Sequence, residues 1–255
     1  MNEALLASVE DASLNASAPP QQLWLDGWLV RFCPGKAKRA RSINAVAPGR
    51  LPFAEKLRRA QAIYRDAGLP VVARITPFSQ PAAFDAEWVA LGYRCFDTTH
   101  VMVAELAGVS ASHALAPALM MTRIDAQTYA DTVGALRGSA PDQRAAHAQR
   151  LRASPVPYEG WLLRRDGELL ACGQFAREGE FVGLYDVFTA PQARGQGLAK
   201  LLCAQLLDKA RVQGARTAYL QVESQNAAAI AVYRALGFAP GYDYHYRALD
   251  PAAAL

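Results

Sequence analysis

A pair of glycines follows an arginine where a strand pattern changes into a helix pattern, in the segment Arg194-Gly195-Gln196-Gly197. The preceding run Val187-Phe188-Thr189 is β-branched and aromatic, which is typical of a strand. After the glycines, leucines recur at helical spacing, at Leu198, Leu201, Leu202 and Leu206. A helix start presents backbone N–H groups and the positive end of the helix dipole, and glycine lets a ligand approach the backbone. The pattern therefore predicts a site for a phosphate or pyrophosphate group.

Two common phosphate-binding loops do not fit this spacing. The ATP-binding loop requires Lys-Ser or Lys-Thr after its last glycine, whereas Leu198 and Ala199 follow Gly197. The dinucleotide fingerprint requires a third glycine at the position that Lys200 occupies. A tight strand-to-helix turn without any ligand remains the structural alternative.

The loop instead resembles the pyrophosphate loop of the GNAT superfamily, the acyl-CoA-dependent N-acetyltransferases. Their pattern, Arg/Gln-x-x-Gly-x-Gly/Ala, is matched by Arg194, Gly197 and Ala199. The family's second signature is matched further on, at Asn226, Ala229, Tyr233, Gly237 and Phe238. The resemblance covers residues 119–249, and two motifs in the right order make it specific.

The resemblance implies that acetyl-CoA is a cosubstrate and that its acetyl group passes directly to an amine, without a covalent enzyme intermediate. It implies that Tyr233 donates a proton to the departing thiolate, which a tyrosine hydroxyl can do. The alternative for Tyr233 is a core aromatic on the face of a helix predicted over 226–236. The implied cofactor-binding residues are Val187, Phe188, Thr189, Arg194, Gly195, Gln196, Gly197, Leu198, Ala199 and Asn226. In this family the strand before the loop separates from its neighbour, so that its main chain can pair with the pantetheine amides.

An attacking amine must be neutral, and most amines are protonated at pH 7, so a general base is expected. Asp186, beside Val187, and Glu223, at the end of the adjacent predicted strand, are the candidates. For each, the alternative is a solvated acid at a strand end. His147 and His245 are weaker candidates, because an isolated histidine is more often structural.

The surrounding elements predict an α/β fold of the α+β type. We expect two tandem GNAT-like units, each a mixed, mostly antiparallel sheet flanked by helices, because the halves echo each other. Ala90-Leu91-Gly92-Tyr93 matches Ala235-Leu236-Gly237-Phe238, for example. The predicted units are residues 1–110 and 118–255, joined by a linker within Ala107–Pro117. The first unit is predicted to be degenerate, since Gly49-Arg50-Leu51-Pro52 lacks the loop pattern and Pro52 has no N–H.

Local signals place individual elements. The segment 23–32 predicts one strand or the edge of a strand pair, and Asp166-Gly167 predicts a hairpin turn. Residues 126–136 and 141–152 predict two helices that would help to build the acceptor pocket.

Composition narrows the function classes. The 255 residues are 52% hydrophobic and 20% charged, with a net charge of +4, which is ordinary for one large or two small domains. The basic run 36–41 lacks interleaved aromatic residues, so it predicts a solvated loop and no nucleic-acid partner. The four cysteines lack CxxC spacing, so we expect neither disulfides nor a metal site. No signal peptide or membrane-length apolar stretch is evident, which predicts a cytoplasmic protein that binds no membrane.

These observations predict an acetyl-CoA-dependent N-acetyltransferase for an unidentified small-molecule amine. Two rival functions stay open: a protein N-terminal or lysine acetyltransferase, and a non-catalytic CoA-binding module. No motif identifies the acceptor, and a homodimer is left open as the assembly state.

Overall fold

The structure, a computed structural model, describes residues 2–109 and 115–254 and divides into two compact units. The loop unit comprises residues 1–16 and 101–241, and the companion unit comprises residues 17–100 and 242–255. These units differ from the predicted boundaries, 1–110 and 118–255, at both chain ends, because packing rather than chain order assigns the terminal segments. The predicted linker Ala107–Pro117 lies partly outside the described residues.

Helices and strands are interspersed along the described residues. The helices are α1 (Glu3–Ala16), α2 (Phe53–Asp66), α3 (Phe84–Ala90), α4 (Ala126–Leu136), α5 (Pro141–Ala153), α6 (Leu198–Val212) and α7 (Ala227–Arg234). The strands are β1 (Gln22–Leu25), β2 (Trp28–Arg31), β3 (Ile43–Ala45), β4 (Ala73–Ile75), β5 (Arg94–Glu105), β6 (Leu119–Ile124), β7 (Tyr158–Arg165), β8 (Glu168–Glu178), β9 (Phe181–Thr189), β10 (Thr217–Glu223) and β11 (Ala239–Ala248). This combination of helices and strands confirms the predicted α/β fold class.

Each unit contains a mixed, mostly antiparallel arrangement of strands. In the loop unit, β6, β7, β8 and β9 pair antiparallel in chain order, and β10 pairs parallel to β9. In the companion unit, β1, β2 and β3 pair antiparallel, β4 pairs parallel to β3, and residues 245–247 of β11 pair antiparallel to β4. Both parallel pairs are joined by a crossover helix, as parallel neighbours require. The interpretation of the two units as repeated copies remains a prediction.

The start of α6 is held by the core of the loop unit. Leu198, Leu202 and Leu206 lie on one helix face, and each is at most 4% exposed. They belong to the same buried cluster as Leu184 on β9. This packing sets the first turn of α6 against the end of β9, where the glycine loop connects them.

Among the described helices, none is both long and apolar enough to cross a membrane.

Two Asp-Gly pairs form hairpin turns. Asp166 and Gly167 join β7 to β8 with φ angles of 50° and 86°, as the sequence predicted. Asp26 and Gly27 join β1 to β2 in the same way, with φ angles of 45° and 87°. The segment 23–32 therefore forms a hairpin. The sequence pattern left open whether this segment is one strand or part of a strand pair, and the Asp26-Gly27 pair is the signal that would have predicted two strands.

The carboxylate of Asp26 occupies the backbone donors that precede α2 in the companion unit. Its Oδ2 accepts hydrogen bonds from the N–H groups of Arg50 at 2.8 Å and Leu51 at 2.7 Å. A side chain at Gly49 would collide with this carboxylate. An acid of the chain itself therefore takes the N–H groups that a phosphate would need, which supports the prediction that this unit lacks an acyl-CoA loop.

We expect Asp26→Ala to lower the melting temperature at neutral pH and to lose this effect in acid. Hydrogen bonds from Leu51 and Arg50 lower the pKa of Asp26. A lowered folded-state pKa stabilises the fold above the unfolded carboxyl pKa, and this contribution disappears as the pH falls through the folded pKa. Melting curves between about pH 7 and pH 3 would measure the difference. Asp66→Ala, at a site 74% exposed, is the control; an Asp26→Ala effect that is constant with pH would contradict the assignment.

Candidate functional site

An open cleft of about 610 Å³ lies beside the glycine loop of the loop unit. Its walls come from the end of β9, the first turn of α6 and one side of α7. The residues that line it are Val187, Phe188, Thr189, Ala193, Arg194, Gly195, Gly197, Leu198, Ala199, Lys200, Asn226, Ala228, Ala229, Val232 and Tyr233. All the residues predicted to bind the cofactor line this cleft except Gln196, whose amide approaches the Gln192 carbonyl at 3.5 Å.

Both loop glycines adopt a left-handed backbone conformation. The φ angles are 76° at Gly195 and 73° at Gly197, a region that glycine enters without strain. Gly197 is the N-cap of α6, and no side chain caps the first N–H groups of that helix. A side chain added at either glycine would project into open space. The loop thus presents helix N–H groups and the positive dipole end to the cleft, which suits a phosphate.

Two cations stand at this loop. The Arg194 side chain is exposed, lies 5.7 Å from the Phe188 ring centre and approaches the Thr189 carbonyl at 3.4 Å. Lys200, within the first turn of α6, also lines the cleft and was not among the predicted site residues. Its place three residues after Gly197 was the available signal, because the first turn of a helix faces whatever binds at its N-terminus.

We expect Arg194→Ala to weaken acetyl-CoA binding by about 1.5–3 kcal/mol, the usual scale for a hydrogen bond to a charged group. Isothermal titration calorimetry would measure the change in Kd. Arg50→Ala is the matched control, because that arginine is 96% exposed and precedes α2 in the companion unit. An equal loss of affinity in both variants would mean that Arg194 does not contact the phosphates specifically.

Strand β9 separates from β10 before either strand ends. Their paired register runs from Phe181↔Thr217 to Leu184↔Leu220, and β9 then continues to Thr189. On its other side β9 stays paired with β8 as far as Thr189↔Ala171. One edge of β9 at residues 187–189 is therefore open to an extended ligand, which can add to it as a further strand.

A β-bulge lies at the point of separation. Between Cys172↔Phe188 and Gln174↔Tyr185, two residues of β9 face one residue of β8. One of the two is Asp186, whose φ angle of 48° is uncommon for a residue other than glycine. Strained backbone of this kind clusters at functional sites.

The side chain of Asp186 is held by three polar neighbours. Arg137 donates to Oδ1 at 2.8 Å, Gln174 donates to Oδ2 at 2.9 Å, and His147 Nε2 lies 3.1 Å from Oδ2. The Tyr129 hydroxyl donates to the Asp186 carbonyl at 2.9 Å. Burial raises the pKa of Asp186, but the contacts with His147 and Arg137 outweigh it and hold the pKa well below the usual range. A carboxylate stabilised in this way accepts protons poorly.

The other predicted base, Glu223, is exposed at the end of β10 and does not belong to the cleft lining. Its carbonyl accepts a hydrogen bond from the Asn226 N–H at 2.9 Å. Asn226 in turn caps α7, since its Oδ1 accepts the Ala229 N–H at 3.1 Å. The helix therefore begins at Ala227 rather than at Asn226 as predicted, because asparagine is a preferred N-cap.

Tyr233 brings a protonated hydroxyl to the cleft. Its ring packs edge to face on Phe238, with 6.0 Å between ring centres. Burial raises the pKa of Tyr233, and the neighbouring Cys203 adds to the shift, so the hydroxyl stays protonated at neutral pH. Within the described residues the hydroxyl makes no hydrogen bond, which leaves it able to donate to a ligand.

Residues 126–238 match the family model described as the acetyltransferase (GNAT) family. This segment of the chain is therefore similar to the GNAT acetyltransferases. The matched segment begins with α4 and contains the bulge, the glycine loop and Tyr233, so all the residues that line the cleft lie inside it.

Several curated proteins are similar in sequence to parts of the chain. An uncharacterized N-acetyltransferase, YobR of Bacillus subtilis, is 26% identical over 225 residues, covering 86% of this chain and 89% of that protein. The mycothiol acetyltransferase of Actinosynnema mirum is 32% identical and covers 58% of this chain and 54% of its own length. The bS18-alanine N-acetyltransferase of Escherichia coli is 40% identical over 55 residues, covering 22% of this chain and 37% of that enzyme. The chain thus spans about half or less of the two relatives with named acceptors.

Solved structures show the same fold. A GCN5-related N-acetyltransferase from Kribbella flavida superposes with a TM-score of 0.68 at 17% identity, covering 97% of this chain and 96% of that one. A tandem GNAT protein from the clavulanic acid biosynthesis pathway gives a TM-score of 0.61 at 15% identity, with coverages of 78% and 70%. At these identities the likeness concerns the fold.

Proposed function

We propose that the chain is an acetyl-CoA-dependent N-acetyltransferase that passes the acetyl group directly to the amine of a small molecule. The observation that carries the proposal is the convergence of three features in one cleft. These are the uncapped glycine loop, the open edge of β9 and the hydroxyl of Tyr233.

The cleft residues fit the parts of acetyl-CoA. The first N–H groups of α6, together with Arg194 and Lys200, suit the pyrophosphate. The open edge of β9 suits the pantetheine amides, and Asn226 stands where it can contact the same arm. Acetyl-CoA supplies the acetyl group as a thioester. In this function the loop unit binds the cofactor, and the companion unit is a degenerate unit that binds none.

Tyr233 supplies a proton to the sulfur that leaves. Burial raises the pKa of Tyr233, so the hydroxyl is protonated at neutral pH and holds the proton that the developing thiolate accepts. A main-chain N–H at residues 187–189 can also donate to the carbonyl oxygen of the acetyl group. Neither step requires a covalent bond to the protein.

The burial of the residues beside the bulge, where the acceptor would enter, favours a small amine as the acceptor. The groups beside the bulge are well buried: Tyr129 is 0% exposed, Gln174 is 1% exposed and the His147 side chain is 14% exposed. A protein N-terminus or lysine is the alternative acceptor, and a non-catalytic CoA-binding module is the alternative class.

Two measurements test the proposal in sequence. Thermal melting with acetyl-CoA, CoA and NAD should show a concentration-dependent rise with both CoA forms and none with NAD. Release of CoA thiol is then followed with tyramine, spermidine and glucosamine, and with peptides bearing free N-termini or lysines. Transfer to peptides alone would favour the alternative acceptor, and binding without any transfer would favour the non-catalytic module. Absence of binding would overturn the proposal.

A further inference from the structure

The histidine beside Asp186 has a geometry that the proposed reaction can use. His147 lies on α5, its side chain is 14% exposed, and its Nε2 is 3.1 Å from Asp186 Oδ2. Nε2 is buried and makes no hydrogen bond within the described residues, although this contact is short. The distance still decides the tautomer, because a lone pair on Nε2 would face a carboxylate lone pair at 3.1 Å. The proton therefore sits on Nε2, and the neutral ring carries its basic lone pair on Nδ1.

Asp186 is fixed firmly enough to orient this ring. Arg137 and Gln174 each hold one carboxylate oxygen, at 2.8 and 2.9 Å. Gln174 is 1% exposed, and its Oε1 is buried without a hydrogen-bond partner within the described residues. A carboxylate that holds a histidine in one tautomer leaves the other ring nitrogen free to accept a proton.

The cluster formed by His147, Asp186, Arg137 and Gln174 adjoins the part of the cleft that β9 lines. Asp186 immediately precedes Val187, which lines the cleft at the bulge. The Arg137 guanidinium lies 5.7 Å from the ring centre of Phe188, the next lining residue. His147 thus contacts the residue that immediately precedes strand segment 187–189, on which the thioester would lie.

The other ionisable groups around His147 do not change their protonation state near neutral pH. These are Asp186 on β9, Tyr129 on α4, Arg137 at the C-cap of α4, and Cys172 on β8. Burial raises the pKa of Tyr129 well above its ordinary value and raises the pKa of Cys172 to about 11. Asp186 stays ionised for the reason given above. Histidine is the side chain that ordinarily exchanges a proton in the neutral range.

We propose that His147 is the general base of the acetyl transfer and that Asp186 is its positioning residue, an inference that rests on the proposed N-acetyltransferase function. Nδ1 of His147 accepts one proton from the amine nitrogen, directly or through one water, as that nitrogen bonds to the carbonyl carbon. The carbon–sulfur bond breaks, and the Tyr233 hydroxyl gives its proton to the sulfur. Solvent then returns a proton to the Tyr233 oxygen as His147 releases one.

His147→Gln tests the base, and His245→Gln is a matched control. His245 also faces a carboxylate, with Nε2 3.3 Å from Asp85 Oδ1, and Arg247 also holds that carboxylate. With the most active amine among tyramine, spermidine and glucosamine, we expect His147→Gln to lower kcat about 100-fold. The acidic limb of its pH–rate profile should disappear, and its Kd for acetyl-CoA should stay within about twofold. His245→Gln should retain wild-type kcat.

A second readout does not depend on activity. Long-range ¹⁵N imidazole spectra distinguish the two neutral tautomers, and the signal that His147→Gln removes identifies His147 among four histidines. We expect an Nε2–H ring in the wild type and a mixture of tautomers in Asp186→Asn. An Nδ1–H ring in the wild type would overturn the proposal, as would wild-type kcat in His147→Gln with the proposed function intact. A wild type that transfers acetyl to no amine would overturn the proposed function, and the base assignment with it.

Discussion

Gly197→Glu is expected to abolish acetyl-CoA binding, with at least a 100-fold rise in Kd, or about 2.7 kcal/mol. Gly197 is the N-cap of α6 with a φ angle of 73°, and a side chain there projects into the open space of the cleft. A glutamate would place a carboxylate at the helix N–H groups and repel the phosphates through like charge. Asp26 already occupies backbone donors in this manner in the companion unit. Calorimetry with acetyl-CoA measures the loss.

The backbone strain of this substitution needs its own control. Gly214 follows α6 at its other end, has a φ angle of 99° and also faces open space. Gly214→Glu therefore introduces the same residue with comparable strain, but outside the cleft lining. It should bind acetyl-CoA with wild-type affinity. If Gly197→Glu also binds normally while it melts as a folded protein, the loop does not hold the cofactor.

Tyr233→Phe is expected to lower kcat by about 10²–10³-fold and to leave the Kd for acetyl-CoA nearly unchanged. Tyr233 lines the cleft, and its raised pKa keeps the hydroxyl protonated, so the substitution removes the proposed proton donor for the thiolate. The ring remains to pack on Phe238, so the fold should tolerate the change. Steady-state release of CoA thiol gives kcat, and calorimetry gives Kd.

Tyr64→Phe separates this effect from the general loss of a buried hydroxyl. The Tyr64 hydroxyl donates to the Arg31 carbonyl at 2.7 Å in the companion unit. Its removal should cost about 1 kcal/mol of stability without lowering kcat. Unchanged kcat in Tyr233→Phe would assign Tyr233 to the core rather than to the chemistry.

Local pattern was sufficient to predict the elements that line the cleft. The run Val187-Phe188-Thr189, the two glycines and the leucine spacing are short-range features, and each corresponds to an observed strand, turn or helix face. The residues from Arg194 to Ala199 follow one another, so their types and order specify the loop by themselves. Helix α4 was predicted over residues 126–136, where it occurs, and the hydrogen bonds that Asp125 accepts at its start, from Gln127 and Thr128, are also local.

Contacts between distant residues could not be predicted in this way. Asp186 looked like a base beside the reaction centre, but Arg137 and His147, 49 and 39 positions earlier, make it a weak proton acceptor. The Asp26 carboxylate likewise meets backbone groups 24 and 25 residues further on.

The sequence by itself therefore determined the fold class, the GNAT resemblance and the glycine loop between β9 and α6, because periodicity and turn chemistry act over a few residues. Only the tertiary structure decided which ionisable groups meet, and with them the protonation state of Asp186. The energy of a buried charge depends on every neighbour within a few ångströms, and the fold draws those neighbours from separate helices and strands.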